Sequence, residues 1–177
     1  MKRRDVIIVL GGLLATWPFA ARAQKSGGAY VAAMRNAKRE FDKTSKPSEA
    51  ARLDYVTRLL LLRKKAAERG KTDEWQAIDA EIYRHPAPAS DEKGLADRLV
   101  GEWASPRHEY LYRRDGTWTM LPKDNDTTHG TWRIEGNQYV TTNSLDTRSD
   151  RYTVIMITKK YFVLADEEAV FYETRLK

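Results

Sequence analysis

Position 101 divides this chain into two parts with different hydrophobic periods. Upstream of Leu99-Val100-Gly101-Glu102-Trp103, apolar residues recur at helical spacing; downstream they alternate in short runs broken by turn residues. Gly101 breaks the helical period because glycine tolerates backbone angles that other residues avoid. The division predicts an α+β chain, with helices packed against a set of antiparallel strands.

The strand candidates are Trp103–Ser105, Arg107–Arg114, Thr117–Leu121, Gly130–Glu135, Gln138–Leu145, Arg151–Thr158, Tyr161–Ala165 and Ala169–Leu176. Asp115-Gly116 and Gly136-Asn137 read as tight hairpin turns, and Lys159-Lys160 as a further one. Strands joined mostly as hairpins predict an up-and-down barrel. Arg151–Thr158 and Tyr161–Leu164 are apolar on both faces, so both faces must be covered. A two-residue turn at Lys159-Lys160 sets Ile157 opposite Phe162. One face then carries Ile155, Ile157, Phe162 and Leu164, and the other Val154, Met156, Tyr161 and Val163. One of these faces looks into the barrel, and the leucine-rich segment Leu53–Leu62 is the expected cover for the other. The strands are short and their aromatic residues bulky, so the interior is expected to be filled by side chains.

The helices fall in residues 24–85. Tyr30, Met34, Ala37 and Phe41 share one face; Leu53, Val56, Leu60 and Ala67 mark the next helix, which Ser48 can cap. Leu59, Leu61 and Leu62 widen that stripe, predicting burial on more than one side. A third helix starts near Thr72-Asp73 and buries Trp75, Ile78 and Ile82. Residues 86–90, Pro-Ala-Pro-Ala-Ser, read as a semi-rigid linker. The region 91–177 then opens with a short helix whose Leu95 and Leu99 lie one turn apart.

A Gly101-x-Trp103 entry into the first strand after a short helix resembles the opening of lipocalin-like domains. Asp115-Gly116-Thr117-Trp118 and Gly130-Thr131-Trp132 are similar to strand openings of small bacterial members. The resemblance spans residues 91–177. It implies a barrel plugged at one end by Trp103, with Arg175 of the last strand lying across the indole. Chain order points the same way, since first and last strands become neighbours on closure. Arg175 shares parity with Phe171 and Glu173, opposite Val170 and Tyr172, and is expected outside the interior, covering Trp103 from the barrel's end.

Residues 1–23 read as an export signal, expected to be cleaved before Gln24. Lys2-Arg3-Arg4 is the positive start, Val6 to Ala15 the apolar run, and Ala21-Arg22-Ala23 the small-x-small pattern. Arg3-Arg4-Asp5-Val6-Ile7 resembles a twin-arginine motif, and the general secretory route also fits. The mature protein is expected in the periplasm or outside the cell, with membrane contact only through the leader.

Charge is unevenly spread. Residues 24–85 hold 14 Lys/Arg against nine Asp/Glu, whereas residues 86–177 hold 13 against 15. The basic excess beyond the leader is therefore helical, and reads as a solvated face or as a surface that could meet anionic lipid, a polyanion or an acidic protein. The absence of cysteine excludes disulfides, thiolate metal sites and cysteine nucleophiles. His85, His108 and His129 show no metal-ligand spacing. No Gly-x-Ser-x-Gly turn is present. The aromatic rings sit on faces that a barrel would bury, which disfavours nucleic-acid stacking. The expectation is a non-enzymatic protein without cofactor.

Three functions remain open on these residues. The first is a binding module for a small apolar or aromatic ligand, with His108, Tyr110, Tyr112, Trp118 and Trp132 as candidate contacts; their other reading is core and rim. The second is an interaction, envelope-stress or inhibitor protein with a packed barrel and an envelope partner. The third is a hydrolase using carboxylates among Glu102, Glu109 and Asp115.

Overall fold

The computed structural model describes residues 28–44, 47–121, 128–145 and 148–176. The leader assigned to residues 1–23 lies outside them. Helices α1 (Ala29–Asp42), α2 (Glu49–Glu68) and α3 (Thr72–Tyr83) precede a short 3-10 turn and α4 (Glu92–Leu99). Eight strands follow: β1 (Gly101–Ala104), β2 (Glu109–Tyr112), β3 (Thr117–Leu121), β4 (Thr128–Glu135), β5 (Gln138–Asn143), β6 (Ser149–Ile157), β7 (Tyr161–Ala165) and β8 (Val170–Arg175). They close in chain order into one antiparallel up-and-down barrel, with β1 pairing β8. The α+β arrangement read from the hydrophobic periods is the observed one.

The helices form a layer on the outside of β6, β7 and β8. Val56, Leu59 and Leu60 of α2 bury against Ile155, Met156, Val163, Ala165 and Val170, with Ile78 and Ile82 of α3 in the same cluster. The double-sided apolar strands are therefore covered as expected. Two details of the helical stripe differ. Ala66, not Ala67, is buried, and Leu61 points to solvent at 49% exposure. Side-chain acceptors hold the starts of α2 and α1. Ser48 Oγ accepts from the Ala51 amide at 3.2 Å, and Glu74 of α3 accepts from the Tyr30 amide at 2.9 Å.

Two charged residues are buried in this layer. Glu81 accepts from Lys38 Nζ at 2.9 Å, Arg84 Nη1 at 2.7 Å and the Tyr55 hydroxyl at 3.1 Å, and lies 3.2 Å from His85 Nε2. Burial pushes its carboxyl pKa upward, but those donors outweigh it and hold it at about 2. Asp79 receives a fork from Arg63 through Nε and Nη2; Arg63 Nη2 also donates to the Val170 carbonyl at 2.9 Å. That guanidinium lies 5.2 Å from the Trp75 ring centre and 5.9 Å from that of Tyr172.

The β6–β7 register contains a correction. Ile157 faces Phe162 and Val154 faces Leu164, but Met156 faces Val163, so one residue is extra. Such a bulge turns two successive side chains to one side. Ile155 and Met156 both join the helical cluster, while Val154 and Ile157 both enter the barrel core. The interior face is thus Val154, Ile157, Phe162 and Leu164. Ile155 belongs with Tyr161 and Val163 outside, because strict alternation fails across the bulge. The segment read as a linker is also bonded to the barrel. The Ala87 amide donates to the Val154 carbonyl at 2.8 Å, and Asn137 Nδ2 donates to the Ala87 carbonyl at 3.2 Å.

One barrel end is sealed. Trp103 is fully buried beneath Leu95 and Leu99, and its Nε1 donates to the Leu99 carbonyl at 2.7 Å. Arg175 Cζ stands 4.2 Å from the indole centre. Its Nη1 donates to the Val100 carbonyl at 3.1 Å and its Nη2 to that of Arg98, satisfying carbonyls left open at the end of α4. Gly101 adopts φ +137°, and a Cβ there would collide with this guanidinium. Arg175 does share parity with Phe171 and Glu173, but that is the inward set. Val170 and Tyr172 face the helices instead. The helical cover lies over β8 as well as β6 and β7, which reverses the expected orientation of the last strand. Arg175→Ala should destabilise the protein by about 2 kcal/mol, from one cation–π contact and two hydrogen bonds. Urea denaturation checks this; a change below about 0.5 kcal/mol would mean the arginine is merely solvated.

Candidate functional site

Alternate residues of each strand face the axis. The paired register carries Tyr112, Trp118, Trp132, Tyr139 and Phe162 into one shared interior. In the sealed half these rings touch. The Tyr112 centroid lies 6.2 Å from those of Trp132 and Tyr139 and 5.9 Å from Phe162, all near edge-to-face. That half of the barrel is solid.

The other half is open. A cavity of about 630 Å³ is bordered by Tyr110, Tyr112, Trp118, Met120, Tyr139, Thr141, Tyr152, Leu164, Phe171 and Glu173. Its mouth carries Ser105, Pro106, Arg107, His108, Thr128, Asn143 and Asp150. The expectation of a filled interior is therefore overturned for this half. The reason lies on β4 and β5. Thr128, Gly130, Thr141 and Asn143 are the inward residues there, too small to fill the space beside the rings of the flanking β2, β3 and β6. At Gly130 a Cβ would press on the Trp118 ring at 2.8 Å. The missing side chain lets that indole lie against the wall, where Nε1 donates to the Thr131 carbonyl at 3.1 Å.

Glu173 places a carboxyl group inside the wall. Its Oε1 accepts from the Tyr112 hydroxyl at 3.2 Å, and its Oε2 is buried with no hydrogen-bond partner among the described residues. Burial pushes its pKa up to about 8, against the lowering effect of the Tyr112 bond. Burial also raises Tyr110, Tyr112, Tyr139 and Tyr152, so the phenols around the cavity stay protonated. Asp150 is a second carboxylate on the lining, exposed at the mouth.

His108, Tyr110, Tyr112 and Trp118 border the cavity. Trp132 does not; it belongs to the solid layer and donates through Nε1 to the Thr117 carbonyl at 3.0 Å. Gly101, Trp103 and Arg175 sit at the sealed end. Sequence reasoning missed Tyr139, Tyr152, Phe171 and above all Glu173. The signal for Glu173 was its parity with Leu164 through the β7–β8 pairing, available once the helices are placed over Val170 and Tyr172.

The remaining candidates do not converge. Glu102 and Glu109 are exposed on the outer face, and Asp115 sits in the β2–β3 turn at the sealed end. Hydrogen bonds from Thr117 lower the Asp115 pKa, as suits a turn residue. His85 packs in the helical layer, its ring centre 5.0 Å from that of Tyr55. Among the described residues no group of three or more His, Asp or Glu is placed to hold a metal ion. Nor is any helix among them long and apolar enough to cross a membrane. No protein-family model, curated protein or solved structure matches the chain. What the barrel does is therefore read from its own cavity.

Proposed function

We propose that this is an exported, lipocalin-like binding protein whose barrel takes up a small aromatic ligand. The observation that carries the reading is the cavity. Its volume of about 630 Å³ falls within the range of small-molecule sites, roughly 300–1,000 Å³, and its wall combines the aromatic rings of Tyr110, Tyr112, Trp118, Tyr139, Tyr152 and Phe171 with polar and charged side chains. Flat rings stack well on tyrosine and tryptophan, at a spacing of about 4.5–7 Å. Gly101-x-Trp103 with Arg175 across the indole supports the lipocalin-like class. The pattern of residues 1–23 supports export. A solid barrel would have favoured an interaction or inhibitor protein acting through loops or basic helices.

Titration with the neutral dye N-phenyl-1-naphthylamine tests the reading. Saturable, one-to-one fluorescence enhancement is expected. Thr141→Phe places a ring in the open half and should weaken binding about tenfold or more while leaving the melting curve cooperative. Absence of saturable binding to the wild type, or equal binding to Thr141→Phe, would sink the proposal.

A further inference from the structure

We propose that the natural ligand is a protonated arylalkylamine, its ring among the cavity aromatics and its ammonium paired with Glu173. This rests on the binding reading above and adds the charge of the ligand. Glu173 Oε2 is buried without a hydrogen-bond partner among the described residues, a condition that proteins seldom leave uncompensated. Among the described residues no cation is paired with it. Arg175 turns its face to Trp103 and its two terminal nitrogens to the carbonyls of Arg98 and Val100, and its Nε makes no hydrogen bond to Glu173. Arg63, at the cavity's edge, is forked to Asp79, and Arg107 is exposed at the mouth. The titratable groups facing Glu173 from the other strands are Tyr110 and Tyr112 on β2 and Tyr139 on β5. All are neutral phenols whose ring faces attract an ammonium. An anionic ligand would be balanced at the mouth, where Arg107 and Asp150 both stand, but would meet the Glu173 carboxyl inside. A neutral hydroxyl could bond Oε2 but would gain nothing from its charge.

The pairing carries a proton balance. With its pKa near 8, Glu173 is mostly protonated at pH 7 in the empty site. Binding of R–NH₃⁺ to the carboxylic acid gives the R–NH₃⁺/carboxylate pair and releases one proton to solvent. Affinity for the amine should therefore rise with pH, about tenfold per unit, and level off above about 8.

Isothermal titration calorimetry with three matched probes tests this: tryptamine, indole-3-ethanol and indole-3-acetate. Tryptamine is expected to bind about tenfold to a hundredfold more tightly than the neutral probe, the range of charge-assisted hydrogen bonds, with the acetate weakest. Comparing buffers of different ionisation heat at pH 7 should show about one proton released on binding. Glu173→Gln should remove the amine preference and the pH slope, and a cooperative urea transition of the variant reports that its barrel is intact. If indole-3-ethanol or indole-3-acetate binds as tightly as tryptamine, the amine proposal falls and the aromatic-binding reading stands. If the preference survives in Glu173→Gln, the assigned counter-ion is wrong. If none of the three binds, both readings fall.

Discussion

Replacing Arg63 by alanine is expected to cost about 3–5 kcal/mol, the usual effect of removing one partner from a buried ion pair. Its partner Asp79 is 5% exposed and Arg63 itself 15% exposed, so water cannot take over the missing contacts. Burial already pushes the Asp79 carboxyl pKa upward, and the Arg63 fork opposes that shift. Without the fork the carboxyl must protonate on folding or remain charged in an apolar layer. The loss should therefore shrink as pH falls from 7 toward 5, where protonation becomes easier. The carbonyl of Val170 also loses its donor, and the rings of Trp75 and Tyr172 lose the cation between them. Replacing both charged residues, as Arg63→Met with Asp79→Leu, should cost less than Arg63→Ala alone, because no charge is then stranded. Denaturant unfolding of the three proteins at two pH values measures this. A cost below about 1 kcal/mol for Arg63→Ala would show that the pair is no more than a surface contact.

The second large effect is a gain in stability. Glu173→Gln should stabilise the empty protein by a few kcal/mol at pH 8 and leave it unchanged near pH 4.5. The sign follows from the direction of the shift. The folded-state pKa is raised to about 8 from an ordinary 4.5. Below 4.5 the carboxyl is protonated in both states and costs nothing. Between the two values the unfolded chain releases the proton and the folded chain retains it. Wild-type stability should therefore decline relative to Glu173→Gln by up to about 1.4 kcal/mol per pH unit over that interval. Above about 8 both states are ionised and the difference levels off. Urea denaturation of both proteins at pH 4.5, 6 and 8 gives the curve. A difference independent of pH would place the Glu173 carboxylate in water. A residue that destabilises the empty fold while standing in its cavity is characteristic of sites shaped for binding rather than for stability.

Much of the architecture could be read from the chain because its turns and its alternation agree. Asp115-Gly116 and Gly136-Asn137 end strands where the hydrophobic pattern also ends, and both glycines take positive φ. The helical cover was legible from β6 and β7, whose two apolar faces demanded an outer layer. The bulge was not legible. Val154 to Ile157 is an unbroken apolar run, and a slip of one residue within it leaves no mark in composition. The orientation of β8 failed for a related reason. Glu and Arg at alternate positions resemble a solvent face, yet the solvent side of this strand is occupied by α2 and α3. Extending the outer layer by one strand would have turned Tyr172 outward and Glu173 inward. The cavity depends on small residues of β4 and β5 meeting large ones of β2, β3 and β6, a volume balance that strand periodicity does not encode.

The bulge at Ile155 ties the helical half of the chain to the barrel half. Its carbonyl accepts from Arg52 Nη1 at 2.7 Å, the same nitrogen that donates to the His85 carbonyl at 2.7 Å. The extra residue in β6 thus serves the helices on one side, while on the other it lets Tyr152, Val154 and Ile157 all remain inward. Deleting it would put the strand out of phase, either exposing the cavity wall or unseating the helical layer. A barrel cut free of its helices would carry a bare stripe of Ile155, Met156, Val163 and Val170, with a kink shaped for an absent neighbour. Such a barrel is not a portable cassette. Exchanging either half alone would break both, because the leucine-rich helix and the barrel wall are fitted to each other.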